Sequence, residues 1–359
     1  MRTKSIISMK SSLSIFGILV SLFFVLISCS GKWIDEYDEH FSSIHTFHTG
    51  SIQEDSEKNF AISGTLDLYS FPNKGGEKML TNAIKEAKEK VWIAVYIWTN
   101  KNIADALIDA KNRGVDVRVI LEPNVYKTPT INRSIASYFQ KRGVDIVYSD
   151  NDRYKFTHAK FGIIDSRFFV STGNLTYSLF KNKEYIIFGD NKEIHTFLTS
   201  LFAADFSHKN LSNKIKFPDS LAVAPINARS GVKYLLQHAD SHIQLYMQYI
   251  SDQDILDQLA NLKKTKPTIS IDICVSGTQE NRELASVYPQ FRWKQASSPY
   301  LHAKVMILDS TTVFLGSQNL SQNALDNNRE VSVIFSNRPK IVNLLETDIQ
   351  SHCKNIENK

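Results

Sequence analysis

Two stretches of this chain carry the same chemically reactive residue types at the same spacing. Residues 157–165 read THAKFGIID and residues 301–309 read LHAKVMILD, so His-Ala-Lys, four residues and Asp occur twice. In a β-strand, residues i and i+2 point to the same face. His158 and Lys160 are therefore expected to project together. An imidazole can exchange a proton near neutral pH, and a neighbouring ammonium can hold an anion.

The repetition continues beyond the two stretches. Asn174-Leu-Thr matches Asn319-Leu-Ser, and the pair of segments ending in Glu184 and Glu330 read Asn-Lys-Glu and Asn-Arg-Glu. Duplication of a fold would by itself preserve only the apolar periodicity. Retention of His, Lys, Asn and Glu at near-equal offsets instead indicates that a functional site was duplicated.

These residues identify a family. The two segments resemble the HxKxxxxD motifs of the phospholipase D superfamily, including the downstream Asn and Glu, and the resemblance extends over roughly Leu66 to Cys353. It implies two tandem phospholipase D-like α/β repeats, packed about a pseudo-twofold axis with one shared active site. It further implies a metal-independent phosphodiesterase without a cofactor, working as a monomer through a phosphohistidine intermediate.

The resemblance implies a role for each repeated residue. By the family's usual order, His158 is the nucleophile and His302 the general acid. The groups implied to hold the non-bridging phosphate oxygens are Lys160, Lys304, Asn174 and Asn319. Glu184 and Glu330 would hydrogen-bond the far ring nitrogen of a histidine.

Other assignments near the motifs stay open at this stage. Asp165 and Asp309 complete the catalytic motif, although their position just past the strand favours a structural role. Thr176 and Ser321 either contact phosphate or cap a turn. Tyr96 and Trp98 either line the substrate entrance or pack in the core.

Strands alternate with helices in both halves, which predicts an α/β fold with mainly parallel sheets flanked by helices. Helices are expected at 77–87, 102–113, 131–142 and 192–205, and again at 232–238, 254–263, 283–287 and 339–352. We expect a first repeat over 61–215 and a second over 216–359, joined through the polar stretch near 207–219.

The first 28 residues have the layout of a secretory signal, with three basic residues followed by an uncharged run from Leu13 to Ser28. Leu-Ile-Ser before Cys29 resembles a bacterial lipobox, which implies a signal peptide over 1–28 and lipidation of Cys29. Residues 29–60 are expected to form an acidic polar tether. The chain is then an exported bacterial lipoprotein, anchored on the periplasmic or cell-surface side. The alternative is an uncleaved anchor helix.

Charge and cysteine content bound the remaining hypotheses. The net charge of +5 falls to +2 when the three bases of residues 1–28 are removed, so bulk charge does not favour nucleic acid. His40, His45 and His48 lie in the tether without a scaffold that would gather them around a metal. Whether Cys274 and Cys353 form a disulfide is left open.

Four hypotheses about the function follow. A phospholipid substrate is favoured, with hydrolysis or transfer of phosphatidyl groups, because a membrane tether raises the effective concentration of enzyme at the bilayer. The alternative is an exported endonuclease that cleaves nucleic-acid phosphodiesters. Cardiolipin synthesis and a non-catalytic binding module are less favoured, the latter because both motif sets are complete.

Overall fold

The structure is a computed structural model that describes residues 58–73 and 75–356. The predicted signal peptide, the lipidation site at Cys29 and the tether as far as residue 57 lie outside the described residues. Within the described part, no helix is long and apolar enough to cross a bilayer.

The first half contains seven strands and four α-helices of the described chain. In chain order they are β1 (Leu66–Phe71), α1 (Gly76–Glu86), β2 (Lys90–Val95), α2 (Lys101–Asn112), β3 (Asp116–Leu121), α3 (Arg133–Gln140), β4 (Asp145–Tyr148), β5 (Lys160–Ile164), β6 (Arg167–Ser171), a 3-10 turn (Tyr177–Phe180), β7 (Glu184–Gly189) and α4 (Lys192–Phe206).

The second half repeats this order and adds a short final strand. Its elements are β8 (Leu221–Ala224), α5 (Ala228–Gln237), β9 (His242–Met247), α6 (Gln253–Thr265), β10 (Ser270–Val275), α7 (Gln279–Val287), β11 (Arg292–Ala296), β12 (Lys304–Leu308), β13 (Thr312–Gly316), a π turn (Asn323–Asn327), β14 (Glu330–Phe335), α8 (Pro339–His352) and β15 (Cys353–Asn355).

The two sheets share one topology. The first has the order β1-β7-β6-β5-β2-β3-β4, and the second has β8-β14-β13-β12-β9-β10-β11 with β15 added at its edge. The two-repeat α/β prediction is therefore confirmed.

The predicted mainly parallel pairing is wrong, because the sheets are mixed. Only β2-β3-β4 and β9-β10-β11 pair in parallel, and the other pairings are antiparallel. The reason lies in the motif itself. The strand that carries His-Ala-Lys turns back after two residues into β6 or after three into β13, and so short a connection joins only antiparallel neighbours.

Local sequence signals begin and end the helices that support the site. The side chain of Asn100 accepts a hydrogen bond from the N–H of Ile103 at the start of α2, and Asp252 does the same for Ile255 at the start of α6. Gly114 follows α2 with a φ of 90°, a conformation that glycine adopts without steric cost. These caps place the two helix N-termini at equivalent positions in the two halves.

The helices and the two sheets bury three apolar cores between them. Helices α1–α3 cover the outer face of the first sheet, and α5–α7 cover the outer face of the second. The inner faces of both sheets meet each other and the helices α4 and α8 in the central core. Because this core draws side chains from both halves, the halves are fixed against each other.

Two further contacts tie the ends of the chain to the second half. Cys274 of β10 forms a disulfide with Cys353, across 79 residues of sequence. Near the start of the described chain, the N–H of Ser336 donates to the carbonyl of Phe60. The last residues of the predicted tether therefore pack on the folded body and are not a free linker.

Candidate active site

The two His-Ala-Lys segments begin equivalent strands at one end of the sheets. Lys160 pairs with Val95 at the C-terminal end of β2, and Lys304 pairs with Met247 at the C-terminal end of β9. We call this end, where β5 and β12 begin, the site pole. Loops from both halves converge there, whereas Phe60 and Ser336 lie at the opposite pole.

The halves exchange backbone contacts at the motifs. The N–H of His158 donates to the carbonyl of Arg329 over 2.9 Å, and the N–H of His302 donates to the carbonyl of Lys183 over 3.2 Å. Arg329 directly precedes Glu330, and Lys183 directly precedes Glu184, the repeated glutamate of its own half. The contact is reciprocal, as expected for a pseudo-twofold interface.

Each histidine is held by a glutamate of the other half. His158 Nδ1 lies 2.8 Å from Oε1 of Glu330, and His302 Nδ1 lies 2.6 Å from Oε1 of Glu184. An ionised carboxylate accepts only, so Nδ1 carries the hydrogen and Nε2 is left with its lone pair. The exposed fractions of the two histidine side chains are 18% and 16%, so each ring keeps an edge open toward the site.

Two hydroxyl groups support the glutamates, and the motif analysis did not include them. Thr172 Oγ1 donates to Oε2 of Glu184 over 2.5 Å, and Ser317 hydrogen-bonds Glu330. Both hydroxyl residues stand two positions before the repeated asparagines. That shared offset was the sequence signal by which they could have been found.

Both motif lysines are buried at the bottom of the site. Each ammonium donates to the carbonyl of the histidine two residues before it, and Lys304 Nζ also lies 3.4 Å from the carbonyl of Thr172. Two buried ammonium groups thus face two buried carboxylates, those of Glu184 and Glu330. A bound phosphodiester adds one negative charge, which protonation of one histidine would balance.

Burial dominates the ionisation of the site. It lowers the pKa of His158 to about 4, with Glu330 opposing this shift and Lys160 adding to it. It also lowers the pKa of His302, again against the effect of its glutamate. Both rings are therefore neutral at pH 7 in the absence of substrate, which is the form in which an imidazole attacks or accepts a proton.

The lysine pKa values shift in the same direction and for the same first reason. Burial lowers the pKa of Lys160 to about 7 and that of Lys304 to about 8, while the glutamates act to raise both. Burial would raise the pKa of Glu184 and Glu330, but the paired histidine and the lysines hold both below the ordinary value. The carboxylates are thus ionised, whereas the charge of the lysines depends on what occupies the site.

The repeated asparagines follow β6 and β13 at the site pole. The side-chain Oδ1 atoms of Asn174 and Asn319 are buried without a hydrogen-bond partner in the described structure. Buried polar groups normally have partners, and turning the amide over would present an NH₂ donor at the same point. Such a donor is what a phosphate oxygen would need.

The two aspartates of the motif lie at the far end of their strands. The carboxylate of Asp165 accepts from the backbone N–H groups of Lys88, Glu89 and Lys90, and Asp309 makes the corresponding contacts with residues 240–242. Since β5 separates Asp165 from Lys160 by about 16 Å, this position favours the structural role over the catalytic one. The same holds for Asp309, and both residues fix the turn before a central strand.

The structure separates the two aromatic residues that follow β2. Trp98 is fully buried and packs against Phe139 in the outer core. Tyr96 instead contacts His158, with ring centroids 4.7 Å apart, and its hydroxyl accepts the N–H of Tyr126. Burial raises the pKa of Tyr96 to about 12, so it stays neutral beside the histidine.

Of the two interpretations left open for Ser321, the structure favours the cap of a turn. Ser321 Oγ accepts from the N–H of Ala324, which is a turn-capping contact.

Among residues 58–73 and 75–356, no group of three or more His, Cys, Asp or Glu side chains is placed to hold a metal ion. A metal-independent reaction stays a prediction.

Comparison with known proteins agrees with this geometry. The family described as "Cardiolipin synthase, PLD-like domain" matches residues 80–206 and 232–353. A phospholipase D of Rickettsia prowazekii is 24% identical over 208 residues, which cover 56% of this chain and 96% of that protein.

Two solved structures share the fold. The phosphatidylserine synthase of Haemophilus influenzae matches with a TM-score of 0.66 and 12% identity, over 83% of this chain and 89% of that one. The polyphosphate kinase of Porphyromonas gingivalis matches with a TM-score of 0.62 and 17% identity, over 82% and 53% respectively. Because the two segments matched by the family cover well over half of the sequence, one in each half, this chain belongs to the phospholipase D superfamily.

Proposed function

We propose that this protein is a metal-independent phosphodiesterase that hydrolyses or transfers phosphatidyl groups through a phosphohistidine. The observation that carries the proposal is the crossed pairing of the two histidines with glutamates of the opposite half, above two buried lysines. This arrangement offers two imidazoles, each with a lone pair on Nε2, to one anionic group.

In the first step, Nε2 of His158 attacks phosphorus. The bond to the leaving oxygen breaks, its electron pair stays on that oxygen, and the oxygen takes the proton that Nε2 of His302 acquires when the anionic substrate binds. The ring of His158 gains positive charge, which the carboxylate of Glu330 balances at Nδ1. Lys160 and Lys304 hold the non-bridging oxygens, so charge that shifts onto them is met by fixed cations.

In the second step, His302 accepts a proton from water, and the water oxygen attacks phosphorus. The P–N bond breaks and its electron pair returns to Nε2 of His158. His302 releases the proton from Nε2 as the anionic product leaves, which restores the free enzyme. An alcohol in place of water gives transfer instead of hydrolysis. We assign the role of nucleophile to His158 because that is the family's usual order. The two histidines also differ in their surroundings, since the ring of Tyr96 contacts that of His158.

A phospholipid is the proposed substrate. Two of the three relatives named above act on phospholipids according to their names. The chain without residues 1–28 also carries little net charge to attract nucleic acid. Transfer to a second phospholipid, as in cardiolipin synthesis, would be the same reaction with another acceptor. Endonuclease activity remains the alternative, and it uses the same phosphoryl chemistry.

We also propose that the chain is exported and anchored through Cys29. The disulfide between Cys274 and Cys353 supports this, since such bonds persist in oxidising compartments. The described chain starts at the pole opposite the site. The 29 residues from Cys29 to residue 57 have an upper reach of about 100 Å, so an anchor does not prevent the site pole from facing the same bilayer.

A parallel assay on residues 30–359 in EDTA tests the proposal. That chain contains all described residues and the three cores they close. One arm holds mixed phospholipid vesicles with a small amount of ethanol, and the other holds single- and double-stranded DNA and RNA. We expect head-group release and ethanol exchange, lost in His158→Ala and in His302→Ala but retained in His238→Ala, which removes an exposed histidine.

The intermediate gives a second measurement. With a substrate whose leaving group needs no proton, His302→Ala should accumulate a phosphorylated protein, whereas His158→Ala should not. Cleavage of nucleic acid with untouched lipids would replace the proposed substrate by the alternative. Activity that survives both histidine substitutions would overturn the mechanism.

A further inference from the structure

Exposed aromatic side chains are concentrated around the site. Among the described residues, eight large apolar side chains are exposed, and five of them are tyrosines. We call these five the tyrosine rim: Tyr126, Tyr148, Tyr177, Tyr249 and Tyr300. Described phenylalanines and tryptophans, in contrast, are buried or half-buried.

All five tyrosines lie at the site pole. Tyr148 is the last residue of β4, and Tyr126 and Tyr249 follow the C-terminal ends of β3 and β9. Tyr177 begins the turn after Asn174, and Tyr300 precedes the second motif, with its ring centroid 6.5 Å from that of His302. The rim therefore has members on both halves, at the pole that carries the catalytic groups.

Specific contacts hold parts of the rim in place. The N–H of Tyr126 donates to Tyr96, whose ring contacts His158, and Gln248 donates to the hydroxyl of Tyr300. The hydroxyl of Tyr177 accepts the N–H of Lys101 at the start of α2. One contact thus fixes the backbone of Tyr126, and two hold the hydroxyl groups of Tyr177 and Tyr300, while all three side chains stay exposed.

The charges beside the rim are divided between the halves. Lys101, Lys127 and Lys181 are exposed on the first half, and the ammonium of Lys127 lies 5.2 Å from the ring centroid of Tyr126. On the second half, Asp254 and Glu280 are exposed at the corresponding helix starts, and Arg282 is exposed two residues after Glu280. The exposed charges named here are therefore basic on the first half and mixed on the second.

This combination fits a lipid surface better than a nucleic-acid strand. Tyrosine has an apolar ring and a polar tip, which suits it to the head-group level of a bilayer. Exposed lysines add attraction to anionic lipids. A single strand of nucleic acid would instead require a continuous positive groove in which successive bases stack.

We propose that the tyrosine rim is a docking surface that seats the site pole on a phospholipid bilayer containing anionic lipid. The proposal rests on the proposed function and specifies how it reaches its substrate: the rings enter the head-group layer, and the histidines then face the phosphodiester of a lipid that stays in the membrane.

The test separates docking from chemistry. Residues 30–359 are compared with a Tyr126→Ser/Tyr177→Ser variant and with a Val287→Ser/Leu344→Ser variant, which removes two exposed apolar side chains elsewhere. Co-sedimentation with vesicles of phosphatidylcholine and phosphatidylglycerol measures docking. Turnover of a short-chain, monomeric phosphatidylcholine measures chemistry without a membrane.

We expect the rim variant to lose about tenfold in vesicle affinity and in vesicle turnover, and to keep its turnover of the monomeric substrate. The control variant should match the parent. Unchanged vesicle affinity in the rim variant, or an equal loss in the control, would overturn the proposal. So would loss of single-stranded DNA binding with vesicle binding intact.

The catalytic variant His158→Ala keeps this result distinct from that of the proposed function. It should bind vesicles like the parent although it turns over no lipid. If the parent bound vesicles through the rim but turned over no lipid, the proposed function alone would be refuted. Normal vesicle turnover by the rim variant would refute docking alone.

Discussion

Glu330 of the second half lies against His158 of the first, with 2.8 Å between its Oε1 and the ring Nδ1, and Glu184 holds His302 in the opposite direction. Neither half therefore contains a complete histidine–glutamate pair of its own. The site forms only when the inner faces of the two sheets meet, which links catalysis to the packing of the central core.

Removing the negative charge of either glutamate should disable its histidine. In Glu330→Gln, the amide no longer fixes the hydrogen on Nδ1 of His158 or balances the charge that develops there. We expect kcat to fall by about 10²- to 10⁴-fold. Single-turnover measurements should show that phosphorylation of His158 is the step affected.

Glu184→Gln provides the matched comparison because its histidine does different work. There, protonation of the leaving oxygen should fail, and a substrate with a better leaving group should recover much of the first step. An equal response of both variants to the leaving group would contradict the assignment of roles to the two histidines.

The lysine pKa values predict how anion binding depends on pH. Bound anion stabilises the charged ammonium, so Lys160, with a pKa of about 7, and Lys304, with a pKa of about 8, must take up protons when binding occurs at higher pH. The affinity for dimethyl phosphate, which keeps one negative charge throughout, should therefore decrease as the pH rises through the pKa values of the free lysines. Above pH 8 it should fall by up to about tenfold per pH unit for each neutral lysine.

Calorimetry in buffers of different ionisation enthalpy checks this directly. Proton uptake should approach one or more per anion at pH 8.5 and should decrease in Lys160→Met. An affinity that stays level from pH 6 to pH 9 would show that the lysines are charged in the free protein.

The sequence was informative where chemistry and local periodicity coincide. His158 and Lys160 share one face of a strand because their spacing is two, and the repeated offset to Glu330 marked that glutamate as a site residue. Which glutamate serves which histidine was not accessible. That pairing depends on how the halves dock, and no local pattern encodes it.

The missed elements have local explanations. β1, β8 and β15 lie at sheet edges or have only three to six residues, so their apolar pattern is short. Antiparallel pairing of β5 with β2 was missed because a buried strand reads as apolar in either orientation. Thr172 and Ser317 look like ordinary strand-end residues until the glutamates beside them are known.

Asp165 should matter for stability and not for chemistry. Burial acts to raise its pKa, but three backbone N–H donors hold that pKa below the ordinary value of about 4. Asp165→Ala removes their acceptor and should lower the free energy of unfolding by about 1–3 kcal/mol, with kcat within about threefold of the parent. Asp165→Asn should recover part of the loss.

Since the folded-state pKa of Asp165 is depressed, its charge contributes stability above about pH 4. That contribution is lost as the pH falls through the lower, folded-state pKa. Urea unfolding at pH 7 and pH 3 measures the difference, which should be smaller in Asp165→Ala. Asp67→Ala, which removes an exposed ion pair with Arg167, should change stability by less than about 1 kcal/mol. A large loss of kcat in Asp165→Ala would return the residue to the site.

The disulfide should stabilise the second half through its long loop. Cys274 and Cys353 enclose 79 residues of sequence separation, and joining them restricts the unfolded chain. Replacing both by alanine should cost about 2–5 kcal/mol, and adding a reductant to the parent should produce a similar loss. Insensitivity of the unfolding midpoint to reductant would indicate that the thiols are free in the folded protein.

Two ion pairs, one buried and one partly buried, should couple the stability of the interface to the site. Arg329 Nε lies 2.9 Å from Oδ2 of Asp205 on α4 of the first half, and Lys183 Nζ lies 2.6 Å from Oδ2 of Asp348 on α8 of the second. Asp205→Asn leaves a buried guanidinium without its counter-charge, which should cost about 3–5 kcal/mol. Because the carbonyl of Arg329 also holds the N–H of His158, kcat should fall in the same variant.

A control on the same helix separates this effect from general damage to α4. Glu193 pairs with Lys216 at 3.3 Å, but both side chains are mostly exposed. Glu193→Gln should therefore change the free energy of unfolding by less than about 1 kcal/mol and leave kcat as it is. If Asp205→Asn behaved like Glu193→Gln in urea unfolding and in turnover, the crossed ion pairs would be incidental, and the central apolar core alone would hold the histidines in register.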